Sequence, residues 1–162
     1  MRTRKLATMA ELPARIAGMK ARGVRLVATN GCFDILHLGH VRYLSRARAL
    51  GDALIVGING DDSIRKLKGE GRPLNRDADR AEIIAALEDV DLVVIFPEVR
   101  ATNFLRAAQP DVYAKGGDYT PATLDAEERA ALDEIGTRIE IIPFERGYST
   151  SSLIEKMADR DG

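Results

Sequence analysis

Short, near-continuous apolar runs rich in β-branched residues alternate along the chain with longer stretches in which apolar positions recur every three to four residues. The runs at 24–29, 53–58, 91–96, 112–115 and 138–142 read as strands. Their lack of apolar–polar alternation predicts strands covered on both faces. Between them the spacing predicts helices over 11–22, 39–50 (through Val41, Leu44 and Ala47), 77–88 (with Ile83, Ile84 and Leu87 on one face), 102–108, 124–135 and 150–158. A short helix over 61–66 is capped by Asp61 or Asp62. Residues 67–76 carry Gly69, Gly71 and Pro73 and read as a loop. The helix over 124–135 bears Glu127, Glu128 and Arg129, read as a solvated face, and residues 159–162 are expected to fray.

Strands that alternate with helices in this way predict an α/β fold: a Rossmann-like, doubly wound, parallel five-stranded sheet with helices on both faces. Ligands of such sheets sit beyond the carboxyl ends of the strands, where the strand order reverses. The loops after the first, second, fourth and fifth strands are therefore the places to look for chemistry.

Length and charge narrow the reading. The chain has 162 residues and a formal net charge of −1. That length suits a single domain over 1–162, with its core at about 24–157. The near-balanced charge argues against a general nucleic-acid binder. The only cysteine is Cys32, which excludes an internal disulfide and a cysteine-rich metal site and fits a reducing compartment. The basic start at residues 1–5 is followed by no apolar signal core and reads as a solvated tail. No run approaches the roughly 20 apolar residues of a membrane helix. The expected location is cytoplasmic, with neither nucleic acid nor membrane as a partner.

The segment 29–40, TNGCFDILHLGH, joins the first strand to the next helix and holds both histidines of the chain, His37 and His40. Three residues apart at a helix start, they face one side. Gly39 lets a phosphate approach the backbone, and free N–H groups at the helix N-terminus attract anions. Two imidazoles there supply donors that follow charge developing on a transferring phosphate. Helix capping and a metal site are the competing readings of the pair, but no third metal ligand stands out.

The last helix opens with Ser149, Thr150 and Ser151, whose hydroxyls and unpaired N–H groups suit a triphosphate; ordinary N-capping is the alternative. Lys66, Lys68, Arg72 and Arg80 surround the 67–76 loop, and such a cationic loop can close on phosphates or simply be solvated. Lys115, Gly117 and Asp118 follow the fourth strand. There two glycines admit a flat base and the carboxylate accepts hydrogen bonds, or the segment is a tight turn. Asp34 is the carboxylate nearest the histidines and either orients a substrate or magnesium ligand or fixes its own loop. Cys32 reads as a small filler rather than a nucleophile. Neither a Walker-type Gly-Lys-Ser/Thr nor a dinucleotide glycine fingerprint is present.

The segments HLGH at 37–40 after NGCFD at 30–34, and YSTSSL at 148–153, resemble the HxGH motif and second phosphate-binding motif of the nucleotidyltransferase superfamily. Within it, NGCFDILH, LKGEGRP at 67–73, ALEDVD at 86–91 and KGGDY at 115–119 resemble the D-glycero-β-D-manno-heptose 1-phosphate adenylyltransferases. Residues 135–137 depart from that group, with Ile135-Gly136-Thr137 where it has a Gly-Gly pair before the fifth strand.

The resemblance implies transfer of AMP from ATP to a heptose 1-phosphate, giving ADP-heptose and pyrophosphate for the lipopolysaccharide inner core. It implies His37, His40, Lys68 and Arg80 as catalytic residues. Nucleotide contacts would come from Asn30, Gly31, Cys32, Phe33, Gly39, Lys115, Gly117, Asp118, Tyr148, Ser149, Thr150 and Ser151. Sugar-phosphate contacts would come from Asp34, Lys66, Lys68 and Arg72. It further implies Mg2+ carried by the nucleotide phosphates, a homo-oligomer, and a separate sugar kinase. The competing functions are a cytidylyltransferase acting on glycerol 3-phosphate or a similar alcohol phosphate, and a nucleotide-sensing module without turnover.

Overall fold

The computed structural model describes residues 4–117 and 119–160. Six strands form one sheet: β1 (Leu6–Ala7), β2 (Leu26–Gly31), β3 (Ala53–Asn59), β4 (Leu92–Phe96), β5 (Val112–Gly116) and β6 (Arg138–Ile142). The helices are α1 (Leu12–Ala21), α2 (Leu38–Arg48), α3 (Asp61–Lys68), α4 (Asp77–Ala85), α5 (Thr102–Ala108), α6 (Ala126–Ile135) and α7 (Thr150–Ala158), with a 3₁₀ turn at Pro121–Thr123.

The spatial order is β1-β4-β3-β2-β5-β6, and every pairing is parallel. The α/β, doubly wound reading holds, but the sheet has six strands rather than five. The extra strand is the two-residue β1 at the edge, tied to β4 by the Val93 amide donating to the Lys5 carbonyl at 2.8 Å. Two residues carry no period, so a hydrophobic pattern cannot announce them. The Lys5 ammonium also donates to the Leu87 carbonyl at 2.9 Å, so that part of the basic start is anchored rather than a free tail. Residues 1–3 of that start, and 161–162 of the expected frayed end, lie outside the described residues.

Side chains alternate across the sheet as the pleat demands. Leu26 and Ala28 of β2 join Leu12 and Ile16 of α1, Phe104 and Leu105 of α5 and Leu132 of α6 in one core layer. Val27, between them, joins Leu44 and Ala47 of α2 and Ala81 and Ile84 of α4 in the other. Both faces are thus covered, which is why the strands are apolar throughout.

Helix α6 begins on Asp125, whose carboxylate accepts from the Glu127 and Glu128 amides, and ends on Gly136 at φ +77°. Its charged face is not wholly solvated: Glu128 is buried and accepts the Ala101 amide proton at 2.8 Å. The side chain thereby satisfies the backbone N–H of Ala101 at the start of α5. Among the described residues no helix is long and apolar enough to cross a membrane.

Candidate active site

Strand order reverses between β2 and β5, since β3 and β4 lie on one side of β2 and β5 and β6 on the other. At the carboxyl ends of these two strands opens a cavity of about 400 Å³. Its walls include Asn30, His37 and His40 from the β2–α2 side, and Lys115, Gly116 and Ser149 from the β5 and α7 side. This is where a doubly wound sheet offers a crevice, because neighbouring loops leave the switch point in opposite directions.

The loop after β2 is tightly determined. Phe33 adopts φ +48°, an uncommon conformation for a non-glycine residue, and is buried. A Cβ on Gly31 would meet the Phe33 ring at 2.9 Å, so the loop can fold back only over glycine. The ring then packs edge-on against His40, with centroids 5.4 Å apart.

His37 is the N-cap residue of α2 and His40 lies in its first turn. Their rings stack, with centroids 3.8 Å apart and 22° between planes. The His37 amide donates to Nδ1 of His40 at 3.3 Å. With Nδ1 accepting, the proton of a neutral His40 resides on Nε2, which becomes the available donor. Burial, then the neighbouring His37 and Lys68, push the His40 pKa down to about 4. Burial also lowers that of His37. Both rings are therefore neutral donors in the ligand-free protein at neutral pH. The pair thus caps α2 while its rings line the cavity.

Gly39 is required for a different reason from the one the sequence suggests. A Cβ there would lie 2.8 Å from Cβ of Tyr148 and 2.9 Å from Nδ1 of His37. The residue admits the protein's own β6–α7 segment, while still lining the cavity. Ser149 caps α7 by accepting the Ser152 amide at 3.0 Å, and the Thr150 hydroxyl donates to the Ile35 carbonyl at 3.3 Å. Ordinary capping is therefore real, yet Tyr148, Ser149, Thr150 and Ser151 all line the cavity opposite the histidines.

The other predicted residues divide sharply. Cys32 lines the cavity as a half-buried free thiol whose pKa is raised by burial, so it is no thiolate. Lys68, at the end of α3, and Lys115, over the Tyr119 ring at 4.8 Å, both face the cavity. Lys66 is exposed on α3 away from the cavity wall.

Arg80 is not a wall residue and cannot touch a substrate in this structure. It is fully buried, donating to the carbonyls of Asn75, Cys32 and Asn59 at 3.1, 2.6 and 2.9 Å and pairing with Asp61 at 2.9 Å. Its role is to hold the loops after β2 and β3 together, because a buried guanidinium persists only where carbonyls and a carboxylate saturate it.

Asp34 lines the cavity and also ties the loop after β2 to residues 72–75. Its buried carboxylate accepts the Leu74 and Asn75 amides at 2.9 Å each and pairs with Arg72 at 3.4 Å. Arg72 is thereby occupied with Asp34. Gly117 stands at φ +107°, where a Cβ would meet the Phe144 ring at 2.5 Å; the flat group against the two glycines is Phe144, and only Gly116 reaches the cavity. Asp118 lies outside the described residues.

Several wall residues escape sequence reasoning. Tyr43 follows His40 by three residues, so helical spacing points to it. Its hydroxyl donates to the Ala114 carbonyl at 3.0 Å and lies 2.6 Å from the Thr29 hydroxyl, and burial raises its pKa to about 12. Phe144 and Glu145 follow β6, at the edge where ligands were expected. Glu145 pairs with Arg42 and Arg46 of α2 at 2.6 and 2.9 Å, bridging the two banks of the crevice.

The family described as cytidylyltransferase-like matches residues 28–160. The chain is 48% identical over 153 residues to the bifunctional protein HldE of Geotalea uraniireducens, spanning 94% of this chain but only 31% of that protein. It is 47% identical to the bifunctional protein HldE of Alkalilimnicola ehrlichii, over 95% of this chain and 32% of that protein. The chain thus spans about a third of the length of these curated relatives.

Among solved structures, the lipopolysaccharide core biosynthesis protein from Thermoplasma volcanium is 29% identical with a TM-score of 0.63, over 78% of this chain and 100% of that one. The pantoate–β-alanine ligase of Francisella tularensis shares the fold, at 14% identity and a TM-score of 0.65, over 96% of this chain and 76% of that one. Paired imidazoles at the switch point, facing a serine-rich helix start, are thus a feature of a chain that belongs to the cytidylyltransferase-like family and is a nucleotidyltransferase.

Proposed function

We propose that the chain transfers the adenylyl group of ATP to D-glycero-β-D-manno-heptose 1-phosphate, giving ADP-heptose and pyrophosphate. The observation that carries this reading is the stacked His37–His40 pair sharing one cavity with Lys68 and the start of α7. The likeness to the HldE proteins over nearly the whole chain favours this acceptor over the alcohol phosphates of cytidylyltransferases.

An oxygen of the sugar phosphate attacks the α-phosphorus of ATP in line. The bond from that phosphorus to the oxygen bridging the α- and β-phosphates breaks, and pyrophosphate leaves with the electron pair. No covalent enzyme intermediate is required, so catalysis rests on positioning and charge stabilisation. His37 and His40 donate N–H groups to oxygens whose charge grows in the transition state. Lys68 offsets charge on the sugar phosphate and leaving group, and Ser149 and Ser151 with the α7 amides hold the outer phosphates.

Magnesium enters as part of the MgATP substrate. Its main ligands are the nucleotide's own phosphate oxygens and water. The sugar 1-phosphate is the product of a kinase reaction, and the working form is a homo-oligomer.

The test pairs each of the four nucleoside triphosphates with a panel of sugar 1-phosphates and glycerol 3-phosphate, and identifies products by mass. ADP-heptose as the dominant product supports the reading. A CDP-linked product as the dominant one replaces it with the cytidylyl alternative.

A further inference from the structure

Strands β2 and β5 run side by side, with Ala28 paired to Tyr113. Asn30 lies two residues beyond Ala28 and shares its face of the sheet. From that position the fully buried Tyr113 ring reaches toward the carboxyl ends of the strands, and its hydroxyl donates to Oδ1 of Asn30 at 2.6 Å. No other hydrogen bond of this hydroxyl is present among the described residues.

That bond decides which way the amide points. A buried phenol must deliver its proton to an acceptor, and the acceptor of an asparagine side chain is its oxygen. Oδ1 is therefore the end turned toward Tyr113. Nδ2, with two N–H groups, is the end left free. Asn30 is half-buried and lines the cavity with the donors or cations His37, His40, Lys68 and Lys115, while the two carboxylates of the wall, Asp34 and Glu145, are engaged by the Leu74 and Asn75 amides and by Arg42 and Arg46. A wall of that character fits a ligand dense in acceptor oxygens.

We propose that Asn30 donates from Nδ2 to a phosphate oxygen of the bound nucleotide, and that Tyr113 is the positioning residue that sets its amide, an inference that rests on the nucleotide-transfer reading above. Tyr113 never reaches the ligand itself. It acts by consuming the one acceptor that would otherwise turn toward an anion.

Calorimetric titration of the whole chain with MgATP and with adenosine, which lacks phosphate, tests this in Tyr113→Phe, Asn30→Ala, the double variant and Asn30→Asp. Tyr113→Phe should weaken MgATP by about tenfold, in line with loss of a charge-assisted hydrogen bond. Asn30→Ala should weaken it at least as much. The double variant should lose no more than Asn30→Ala alone, because Tyr113 acts through Asn30. Adenosine affinity should not move in any of them.

Asn30→Asp preserves the shape and the acceptor for Tyr113 but turns an oxygen to the phosphates, so its loss should exceed that of Asn30→Ala. It serves as the reporter if Asn30→Ala does not fold. Additive losses, equal losses for adenosine, or unchanged MgATP affinity in Tyr113→Phe overturn the proposal. A wild-type chain that binds no MgATP overturns the adenylyl-transfer reading itself, a result distinct from wild-type binding with indifferent variants.

Discussion

The imidazole of His37 lies almost flat on that of His40, 3.8 Å between centroids, while the His37 amide donates to Nδ1 of the ring it stacks on. One residue therefore fixes both the plane and the tautomer of the other. The arrangement keeps Nε2 of His40 as a donor before any ligand arrives.

His40→Ala should lower kcat by about 10²–10³-fold, the usual cost of removing one preorganised donor to developing charge. KM for ATP should change far less, since the interaction strengthens only in the transition state. Steady-state kinetics with ATP and the sugar phosphate varied separately check the split. An almost unchanged kcat would remove His40 from the chemistry.

The lowered histidine pKa values have a defined consequence for stability. His40 titrates at about 4 in the folded chain, against an ordinary value of 6.5. As pH falls, the unfolded chain takes up its proton first. The stabilisation is complete above pH 6.5 and is lost as pH falls toward about 4, with His37 adding in the same direction. Urea unfolding across that window should show the decline, and His40→Gln should flatten it. Binding of a polyphosphate should move the His40 resonance titration upward in NMR.

Arg80 makes a separate claim. Replacing it with Met leaves three carbonyls and the Asp61 carboxylate without their buried partner. Stability should fall by about 3–5 kcal/mol, the range for breaking a buried charge pair. Arg80→Lys should not restore it, because a lysine ammonium lacks the planar fork that reaches several acceptors. Urea denaturation of the two variants measures both.

Gly39→Ala places a methyl group only 2.8 Å from Cβ of Tyr148, inside van der Waals contact. The α7 start must retreat from the histidines. A displacement of that order should cost about 10²-fold in kcat/KM, with global stability changed much less than in the Arg80 variants. Kinetics and thermal melting on the same sample separate the two.

Asp34→Asn should loosen residues 72–75, costing about 1–3 kcal/mol for a weakened buried acceptor. The dependence of rate on Mg2+ concentration should stay that of wild type. A shifted metal requirement would return Asp34 to the role of metal ligand.

The sheet and the histidine loop were legible because their signals are local. Apolar β-branched runs report burial on both faces, and His37 and His40 are close in sequence as well as in space. What stayed hidden depends on distant partners. Arg80 and Lys68 look alike as charges beside a glycine-bearing loop, but only the packing of α4 decides that one is enclosed by carbonyls and the other faces the cavity. Tyr113 reads as one more apolar strand position until the β2–β5 register sets it beside Ala28. Gly39 and Gly117 read in the sequence as room for a phosphate and a base; in the structure the neighbours that approach them are Tyr148 and Phe144, supplied from more than 20 residues away.

The reversal of strand order between β2 and β5 also assembles the crevice from two separate stretches of chain. Both histidines belong to the earlier stretch, at the β2–α2 junction, and the opposite bank belongs to β5, β6 and α7. A cut between β4 and β5 would therefore divide the container, leaving the imidazoles on one fragment and the serine-rich helix start on the other.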